Sequence, residues 1–353
     1  MAVTALVPDA ARSRAVNDSP PRRRLRYGTK VTIAIAVVAL ALIVVSLWSG
    51  TVSVTLGDTL RAAVGIDTGT GADFIVGQLR APRVYTSALV GALLAASGAL
   101  MQSIARNPLA SPDLLGISSG AAAGAVLCIY LTRTTSSLAL APWAVAGALI
   151  TAALVILLGS RGRLEPFRMI IAGIGINFVA TAVITLTLTK IPQDVVPQAY
   201  AWIVGSTNAR TWQHVALGAA SCTVILPVVF FMARRLRVLE MGDDLAAGLG
   251  LRPGRLRFAA LAIAGVAAGI AAALVGPIAF IALVAPAIAR RITRSPGITV
   301  VASVLMGAIL TVLADLMARE LLGSNQLPVG LYTSLIGGPY LIYLIVRSKG
   351  TFQ

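Results

Sequence analysis

Charged residues are scarce in this 353-residue sequence: only 12% of its residues are charged, whereas 57% are hydrophobic. Soluble domains carry about a quarter charged residues, so this chain has too few to cover a water-facing surface. Apolar runs recur along nearly the whole length, each close to the roughly 20 residues that cross a bilayer as a helix. They are continuous rather than alternating, which argues against a membrane β-barrel. We therefore predict an all-α, polytopic membrane protein.

Reactive side chains and nucleotide-binding motifs are also few. The two cysteines, Cys128 and Cys222, lie inside apolar runs, where a thiol behaves as a small hydrophobic group. We expect neither a disulfide framework nor a metal site. No G-x-x-x-x-G-K-[ST] phosphate-binding loop occurs in the sequence. The chain is thus expected to hold no cofactor and to perform no catalysis, and an ATP-driven process would need a partner that binds ATP and Mg.

Ionisable residues are missing from the centres of the apolar runs. Asp113 and Asp315 lie near the ends of runs, and Asp194 and Glu320 lie in or beside outer loops. The lone His214 starts the sixth run, where we expect a capping or interfacial role. Secondary transporters keep ionisable groups at mid-membrane, and an intramembrane enzyme needs a paired acid, a metal set or an activated serine. The pattern favours a passive pathway moved by an external motor, with an ion-coupled transporter as the alternative.

The hydropathy pattern predicts ten membrane-spanning helices with both termini in the cytoplasm. This placement puts Lys and Arg inside rather than outside by about three to one, as the positive-inside rule requires. We expect a disordered basic arm at 1–30, one transmembrane domain at 31–348 with a cytoplasmic loop at 233–257, and a tail at 349–353. The predicted spans are 31–49, 83–103, 114–131, 142–159, 169–189, 213–232, 258–275, 278–290, 298–318 and 329–346.

The net charge of +16 follows from the same topology. Cytoplasmic loops of membrane proteins collect Lys and Arg, so we expect contact with membrane lipid and no nucleic-acid partner. No cleavable signal peptide is apparent, and the first apolar run is long enough to remain as an anchor.

Small residues are abundant within the runs, as in "GALLAASGAL" (91–100) and "GVAAGIAAAL" (265–274). Small faces let helices approach closely in lipid, where apolar bulk gives no driving force for association. The same faces would also let helices shift against one another in an alternating-access cycle. Both interpretations stay open at this point.

The longest cytoplasmic loop contains an acidic, apolar stretch, "LEMGDDLAAGLG" (239–250), between two basic ones. Gly242 and Asp243 suit a helix start, and a glycine at its end suits a left-handed stop. Leu245, Ala246 and Leu249 can form one apolar face. We predict a short projecting helix that docks a cytoplasmic partner; the alternative, a helix resting on the bilayer, would normally carry basic residues within it.

The stretch "RNPLASPDLLGISSG" (106–120) disturbs the backbone between two runs. Pro108 and Pro112 stop a helix, Asn107 and Ser111 can satisfy freed backbone groups, and Asp113 can cap the next helix. Irregular backbone at membrane depth is tolerated where it is buried in protein or lines a cavity. We expect a structural break that can also line a pathway.

Six motifs in order resemble the FecCD-type permeases of bacterial ATP-binding-cassette importers, over roughly residues 30 to 348. They are "LRAPRV" (79–84), "SGALMQSIARNPLASPDLLGISSGAAAGA" (97–125), "GDDLAAGLG" (242–250), "GPIAFIALVAPAIAR" (276–290), "LADLMAR" (313–319) and "QLPVGLYTSLIGGPYLIYLI" (326–345). The resemblance implies a ten-helix subunit of the bacterial inner membrane, paired with a second copy or a paralogue. It also implies cytoplasmic ATPase subunits and an extracytoplasmic substrate-binding protein.

The resemblance assigns roles to three groups of residues. The coupling segment that meets the ATPase falls on Gly242, Asp243, Asp244, Leu245, Ala246, Ala247, Gly248, Leu249 and Gly250. The outer arginines that pair with the binding protein fall on Arg80, Arg83 and Arg319. The inner gate falls on Glu165, Pro166 and Phe167, where Pro and Phe replace the small hydroxyl residues that the family often has.

The chain departs from the family pattern at four further positions. Family glycines at two sites are Ala279 and Ala282 here, a histidine is Ala287, and the glutamate before Leu-Pro is Gln326.

The resemblance as a whole implies a permease that carries an iron(III)–siderophore, with haem or cobalamin as alternative substrates. It implies no covalent chemistry by the permease itself.

Overall fold

The structure is a computed structural model that describes residues 21–161, 163–164, 166–295, 297–321 and 327–348. The described chain is helical apart from one short antiparallel pair of strands, β1 (Ser160–Arg161) and β2 (Arg163–Leu164). The helices are α1 (Pro21–Trp48), α2 (Leu56–Ala63), α3 (Ala72–Phe74), α4 (Ala81–Ala105), α5 (Ile117–Thr132), α6 (Ser137–Gly159), α7 (Pro166–Leu188), α8 (Val196–Val204), α9 (Trp212–Glu240), α10 (Asp243–Gly248), α11 (Pro253–Val275), α12 (Ile281–Thr293), α13 (Val300–Glu320) and α14 (Val329–Ser348).

The predicted all-α membrane fold is confirmed, and each of the ten predicted spans falls on a helix. Seven helices of the described chain are long and apolar enough to cross a membrane. The helices on the third and eighth spans, α5 and α12, have only 16 and 13 residues. The number of crossings and the side of the termini remain predictions. Helix α1 begins ten residues before its predicted span, while the first 20 residues and the tail 349–353 lie outside the described residues.

The core is built around α4, which packs against α9, α11, α12 and α13. Close approach depends on small residues, as the sequence predicted. A methyl group added at Gly91 would overlap the carbonyl oxygen of Gly307 on α13, and one at Gly98 would overlap that of Ala282 on α12. Between α5 and α6, a methyl group at Gly124 would overlap the carbonyl oxygen of Trp143, and one at Gly147 would overlap that of Gly120.

A π-helical stretch, Ile75–Arg80, joins α3 to α4, so that the backbone is helical from Ala72 to Ala105. Pro82 follows directly, and a proline inside a helix removes one backbone hydrogen bond. A wider π turn is one way in which a helix accommodates such a residue. The indole nitrogen of Trp212 donates to the nearby carbonyl of Gly77 at 2.9 Å.

Two irregular segments meet next to α8. The amide of Ser206 donates to the carbonyl of Val275 at 2.7 Å, and Gly205, Gly276 and Phe280 have positive φ angles of 85°, 82° and 69°. An added methyl group at Gly205 or Gly276 would overlap the backbone of the other segment. This interlock fixes the turn from α11 into the short helix α12.

Candidate functional site

All nine residues of the predicted coupling segment lie on α10 and its two ends. Gly242 precedes the helix with a φ of 132°, a conformation that glycine adopts readily. At the other end, Gly250 has a φ of 81° and donates to the carbonyl of Ala247, while Leu251 donates to that of Ala246. These two bonds form a Schellman motif, so glycines begin and stop this short helix as predicted.

The exposed face of α10 is smaller than the sequence suggested. Leu245 and Leu249 are 50% and 64% exposed, and Met241 just before the helix is 73% exposed. Ala246, which we grouped with the two leucines, is fully buried, because a residue one position from Leu245 lies about 100° around the helix. The structure thus offers a partner two exposed leucines, Leu245 on α10 and Leu249 directly after it, next to an acidic first turn.

Asp243 joins α10 to two other elements and does not cap the helix. Its carboxylate accepts two hydrogen bonds from Arg257 of α11, both at 2.7 Å, and one from Arg106 at 2.8 Å. Arg106 also donates to the carbonyl of Leu239 at the end of α9, at 2.6 Å. The hydrogen bond from Arg257 and the charges of both arginines lower the pKa of Asp243 below its usual value. We call Asp243, Arg106 and Arg257 the coupling clamp.

The predicted helix break begins at the clamp. Arg106 ends α4 in the left-handed conformation, with a φ of 49°, and the amide of Asn107 donates to the carbonyl of Gln102. The side-chain oxygen of Asn107 accepts from the amide of Leu109 at 2.9 Å, as expected for a residue that satisfies freed backbone groups. Pro108 follows it and is exposed.

The second half of the break leads into α5. Ser111 and Pro112 are buried, and Asp113 opens a single 3₁₀ turn that ends at Gly116, which has a φ of 71°. Asp113 accepts hydrogen bonds from the Ser118 hydroxyl in the first turn of α5 and from the backbone amide of Phe280. It does not cap α5 as predicted, because Gly116 precedes that helix and no side chain caps it. The break is a structural feature, as predicted, and its role in a pathway stays a prediction.

A cavity of about 130 Å³ lies beside the break. It is lined by Asn107, Ser111 and Leu114 of the break, by Met169 of α7 and by Arg257 of the coupling clamp. Arg257 of the clamp, the break and the start of α7 thus border the same cavity. It lies at the end of the molecule that we predict to be cytoplasmic.

The inner gate that the resemblance implies falls at the start of α7 and on the residue before it. Glu165 lies outside the described residues, and Pro166 and Phe167 form the start of α7. The gate prediction stays untested. Gln326, which replaces a family glutamate, also lies outside the described residues.

The outer arginines of the predicted docking surface are buried and bonded within the chain. Arg83 Nε donates to Asp315 Oδ1 at 2.8 Å, and Arg319 Nε lies 3.4 Å from the other oxygen of that carboxylate. The Thr207 hydroxyl donates to Asp315 as well, and Arg319 donates to the carbonyl and hydroxyl of Ser46 at 2.8 and 2.6 Å. Asp315 is fully buried at the centre of this group.

Arg80 completes the group on the side of α1. It donates to the carbonyls of Leu47, Trp48 and Val52 at 3.2, 2.9 and 2.7 Å. The resemblance assigned these arginines to contact with the binding protein. The structure instead shows them joining α1, α4 and α13, and their docking role remains a prediction.

His214 has the capping role that the sequence indicated. Its ring nitrogen Nδ1 accepts from the amide of Thr211 at 3.2 Å, while the Thr211 side chain caps the first turn of α9. Arg210 packs next to it and donates to the carbonyl of Ser206 at 2.8 Å.

Helix α7 carries an exposed row of polar residues that was not predicted from the sequence. Asn177, Thr181 and Thr185 are exposed at four-residue intervals, on a helix whose neighbouring exposed residues include Ile174 and Phe178. Each threonine hydroxyl donates to the backbone carbonyl four residues earlier, at 2.8 and 2.9 Å. The four-residue spacing within an otherwise apolar run is the signal that could have identified the row.

The comparisons with known proteins agree with this architecture. The FecCD transport family matches residues 38–347. The chain is 38% identical to the ferric enterobactin transport system permease protein FepG of Escherichia coli, over 88% of this chain and 94% of that protein. It is 36% identical to the Fe(3+)-citrate import system permease protein YfmE of Bacillus subtilis, over 89% and 93%.

A solved structure has the same fold. It is described as an inward-facing conformation of a putative metal-chelate type ABC transporter, with a TM-score of 0.77 and 24% identity. The superposition covers 91% of this chain and 99% of that one. With a family match over nearly the whole chain and curated relatives of similar length, this chain belongs to the FecCD transport family and is a multi-pass permease subunit of an ABC transporter.

Proposed function

We propose that this permease carries an iron(III) chelate, of the siderophore class, from an extracytoplasmic binding protein to the cytoplasm. The names of the relatives support this substrate class: they include permeases for ferric enterobactin, Fe(3+)-citrate and achromobactin. The alternative substrates are haem and cobalamin. We propose further that the chain pairs with a second copy or a paralogue, and that two ATPase subunits hydrolyse ATP on its behalf.

The exposed leucines of α10 are the proposed contact with the ATPase. Leu245 lies on α10 and Leu249 directly follows it, in the segment that connects α9 to α11. An apolar pair exposed to the cytoplasm is stabilised when a partner groove covers it. This pair is the single structural observation that carries the proposed coupling.

The coupling clamp is the proposed route by which motion of α10 reaches the translocation pathway. Asp243 moves with α10, whereas Arg106 and Arg257 belong to the helix break and to α11. A displacement of α10 must therefore either pull these two elements or break charged hydrogen bonds. The clamp also borders the 130 Å³ cavity through Arg257, so such a pull would change the shape of that space.

The polar row of α7 is the proposed lining of the pathway. The two threonine hydroxyls already donate to backbone carbonyls of α7, so Asn177 carries the argument. An exposed amide side chain on a membrane helix is stabilised by water, by a polar solute or by another protein chain, and not by lipid tails. Asn177 is exposed and lies one turn after Gly173, which packs closely on Leu114 and Leu115 of the break. The row therefore continues towards the cavity, which fits a chelate path along α7 at the interface of two subunits.

The positive charge at the outer end supports docking of a binding protein. Arg83 and Arg319 pair with the buried carboxylate of Asp315, and Arg210 lies near Arg83. Arg80 and Arg319 also lie near Glu320, so four arginines face two carboxylates here. An excess of positive charge at the outer end raises the local concentration of an acidic partner surface. We propose that the binding protein presents such a surface there, with long-range attraction adding to any direct ion pair.

Charge placed on α10 tests the proposed function most directly. Leu245→Glu with Leu249→Glu should abolish co-purification of the co-expressed ATPase and reduce siderophore uptake to background, while the permease still inserts. The matched control is Leu60→Glu with Val64→Glu; Leu60 lies on α2, Val64 directly follows it, and both are exposed and apolar. Undiminished co-purification of the ATPase with the α10 variant would contradict the coupling role.

The competing function, an ion-coupled secondary transporter, makes the opposite prediction for energy supply. Uptake would then be abolished by a protonophore and would survive loss of the ATPase subunit. The proposed importer predicts that uptake persists in the presence of a protonophore and is abolished by loss of the ATPase subunit.

A further inference from the structure

A second cavity, of about 280 Å³, lies between α1, α9 and the start of α13. We propose that it binds the phosphate headgroup of an anionic phospholipid from the cytoplasmic leaflet. We call it the headgroup pocket and define it by Thr32, Phe230, Arg234, Arg237 and Thr299, which line it together with the first residues of α13.

Two arginines give the headgroup pocket its charge. Arg234 and Arg237 are exposed and three residues apart, so they lie on the same face of α9. The guanidinium of Arg234 lies 5.6 Å from the ring centre of Phe230, which holds it over an aromatic face. Arginine presents a planar set of donors that matches phosphate geometry.

The backbone of α13 adds donors to the same pocket. The amides of the first helical turn have no carbonyl partners within the helix, and the side chain of Thr299 makes no capping bond with them. Val300, Val301 and Ala302 of this turn line the cavity. The start of a helix favours an anion, here next to two arginine side chains.

A carboxylate near the pocket is engaged elsewhere. Glu240, on the last turn of α9, accepts the Ser103 hydroxyl of α4 at 2.6 Å through one oxygen. Its second oxygen lies near Gly297, where an added methyl group would come within 3.1 Å of it. With two arginines and one carboxylate at this end of α9, the pocket keeps a net positive charge.

The surfaces beside the pocket favour a lipid over a free anion. Ile33 and Val37 of α1 are 59% and 61% exposed, and Val224 and Phe231 of α9 are 68% and 64% exposed. Both helices contribute residues to the pocket. An acyl chain can therefore lie along their apolar faces while the phosphate reaches the arginines. Basic pockets between transmembrane helices on the cytoplasmic side bind anionic headgroups in this way.

Native mass spectrometry of the purified permease tests the proposal, with phosphatidylglycerol and phosphatidylcholine as probes. We expect preferential retention of phosphatidylglycerol by the unaltered chain. Arg234→Gln with Arg237→Gln should reduce that retention roughly thirtyfold, because each basic residue near an anionic surface contributes about fivefold to binding. Arg235→Gln is the matched control, since Arg235 is exposed but does not line the cavity.

Replacement of both pocket arginines by lysine should retain most of the preference for phosphatidylglycerol over phosphatidylcholine. This variant keeps the positive charge, so it distinguishes an effect of charge from an effect of misfolding. Equal retention of the two lipids by the unaltered chain would overturn the proposal. The same holds if Arg235→Gln lowers retention as much as the pocket variant. Displacement of phosphatidylglycerol by about 10 mM inorganic phosphate would indicate a free-anion site and would also overturn it.

Discussion

Replacement of Asp243 by asparagine tests how α10 transmits motion. The change keeps the size of the side chain and removes the charge that Arg106 and Arg257 share. The exposed leucines of α10 stay in place, so the ATPase should still bind. We expect ATP hydrolysis to continue while siderophore uptake per ATP hydrolysed falls, because α10 can then move without α4 and α11.

The size of the effect follows from the geometry of the coupling clamp. The Asp243 side chain is 44% exposed, and an exposed ion pair contributes about 0.2–1 kcal/mol. The pair with Arg257 is bidentate, and that arginine is only 16% exposed, so its contribution lies at the upper end. Both pairs together give roughly 1–2 kcal/mol, and a loss of this size corresponds to a decrease of roughly five- to thirtyfold in coupled uptake.

The assay is uptake of labelled ferric siderophore into proteoliposomes that contain the permease, its ATPase and its binding protein, with ATP hydrolysis measured in parallel. Asp244→Asn is the matched control, because Asp244 is adjacent and exposed. A double-mutant cycle of Asp243→Asn with Arg257→Gln isolates the pairwise energy. Wild-type coupling in the Asp243 variant, or an equal defect in the Asp244 control, would refute the clamp.

The pH dependence of the clamp has a fixed direction. The hydrogen bond from Arg257, followed by the charges of both arginines, lowers the pKa of Asp243 from its usual 3.8. The charged form is favoured in the clamp, so its contribution is present above about pH 3.8 and is lost only as the pH falls through the lowered pKa. Coupling of the wild type should therefore not change through this group between about pH 5 and pH 8.

Three further predictions address packing and the pathway. Asp315→Asn should destabilise the permease by about 3–5 kcal/mol, because two buried arginines lose their counter-charge; thermal unfolding in detergent measures it. Gly91→Ala should cost about 1–3 kcal/mol, since the added methyl group overlaps Gly307. Its control, Gly175→Ala, meets nothing within 4 Å and should not destabilise. Asn177→Cys should react with a water-soluble thiol reagent in membranes. The two native cysteines are buried, so the unaltered chain is the control. Absence of reaction in the variant would place this face of α7 against lipid.

Much of the fold was predictable from the sequence, because hydropathy marks spanning helices strongly. The short helix in the cytoplasmic loop was also predictable, since Gly242 and Gly250 mark its ends by their backbone freedom. The grouping of Ala246 with the two leucines was wrong, because successive residues of a helix lie about 100° apart and Ala246 cannot share the face of Leu245. The role of Asp243 as a clamp depends on Arg257, whose approach is set by the turn into α11.

The ion pair between Arg83 and Asp315 at the outer end could not be predicted from the sequence. Arg83 and Asp315 are 232 residues apart, and only the packing of α4 on α13 brings them together. The resemblance assigned Arg83 to contact with the binding protein, and nothing in the local sequence paired it with Asp315. The polar row of α7 was missed for a different reason: threonine and asparagine barely lower the hydropathy of a long apolar run.

We infer that this chain provides a pathway without its own energy source and that partner ATPases drive it through α10. Reconstitution of the permease in liposomes, with and without the ATPase and binding protein, tests this inference. We expect labelled ferric siderophore to accumulate against its gradient only when both partners and ATP are present. Accumulation by the permease alone, driven by an imposed proton or sodium gradient, would contradict it.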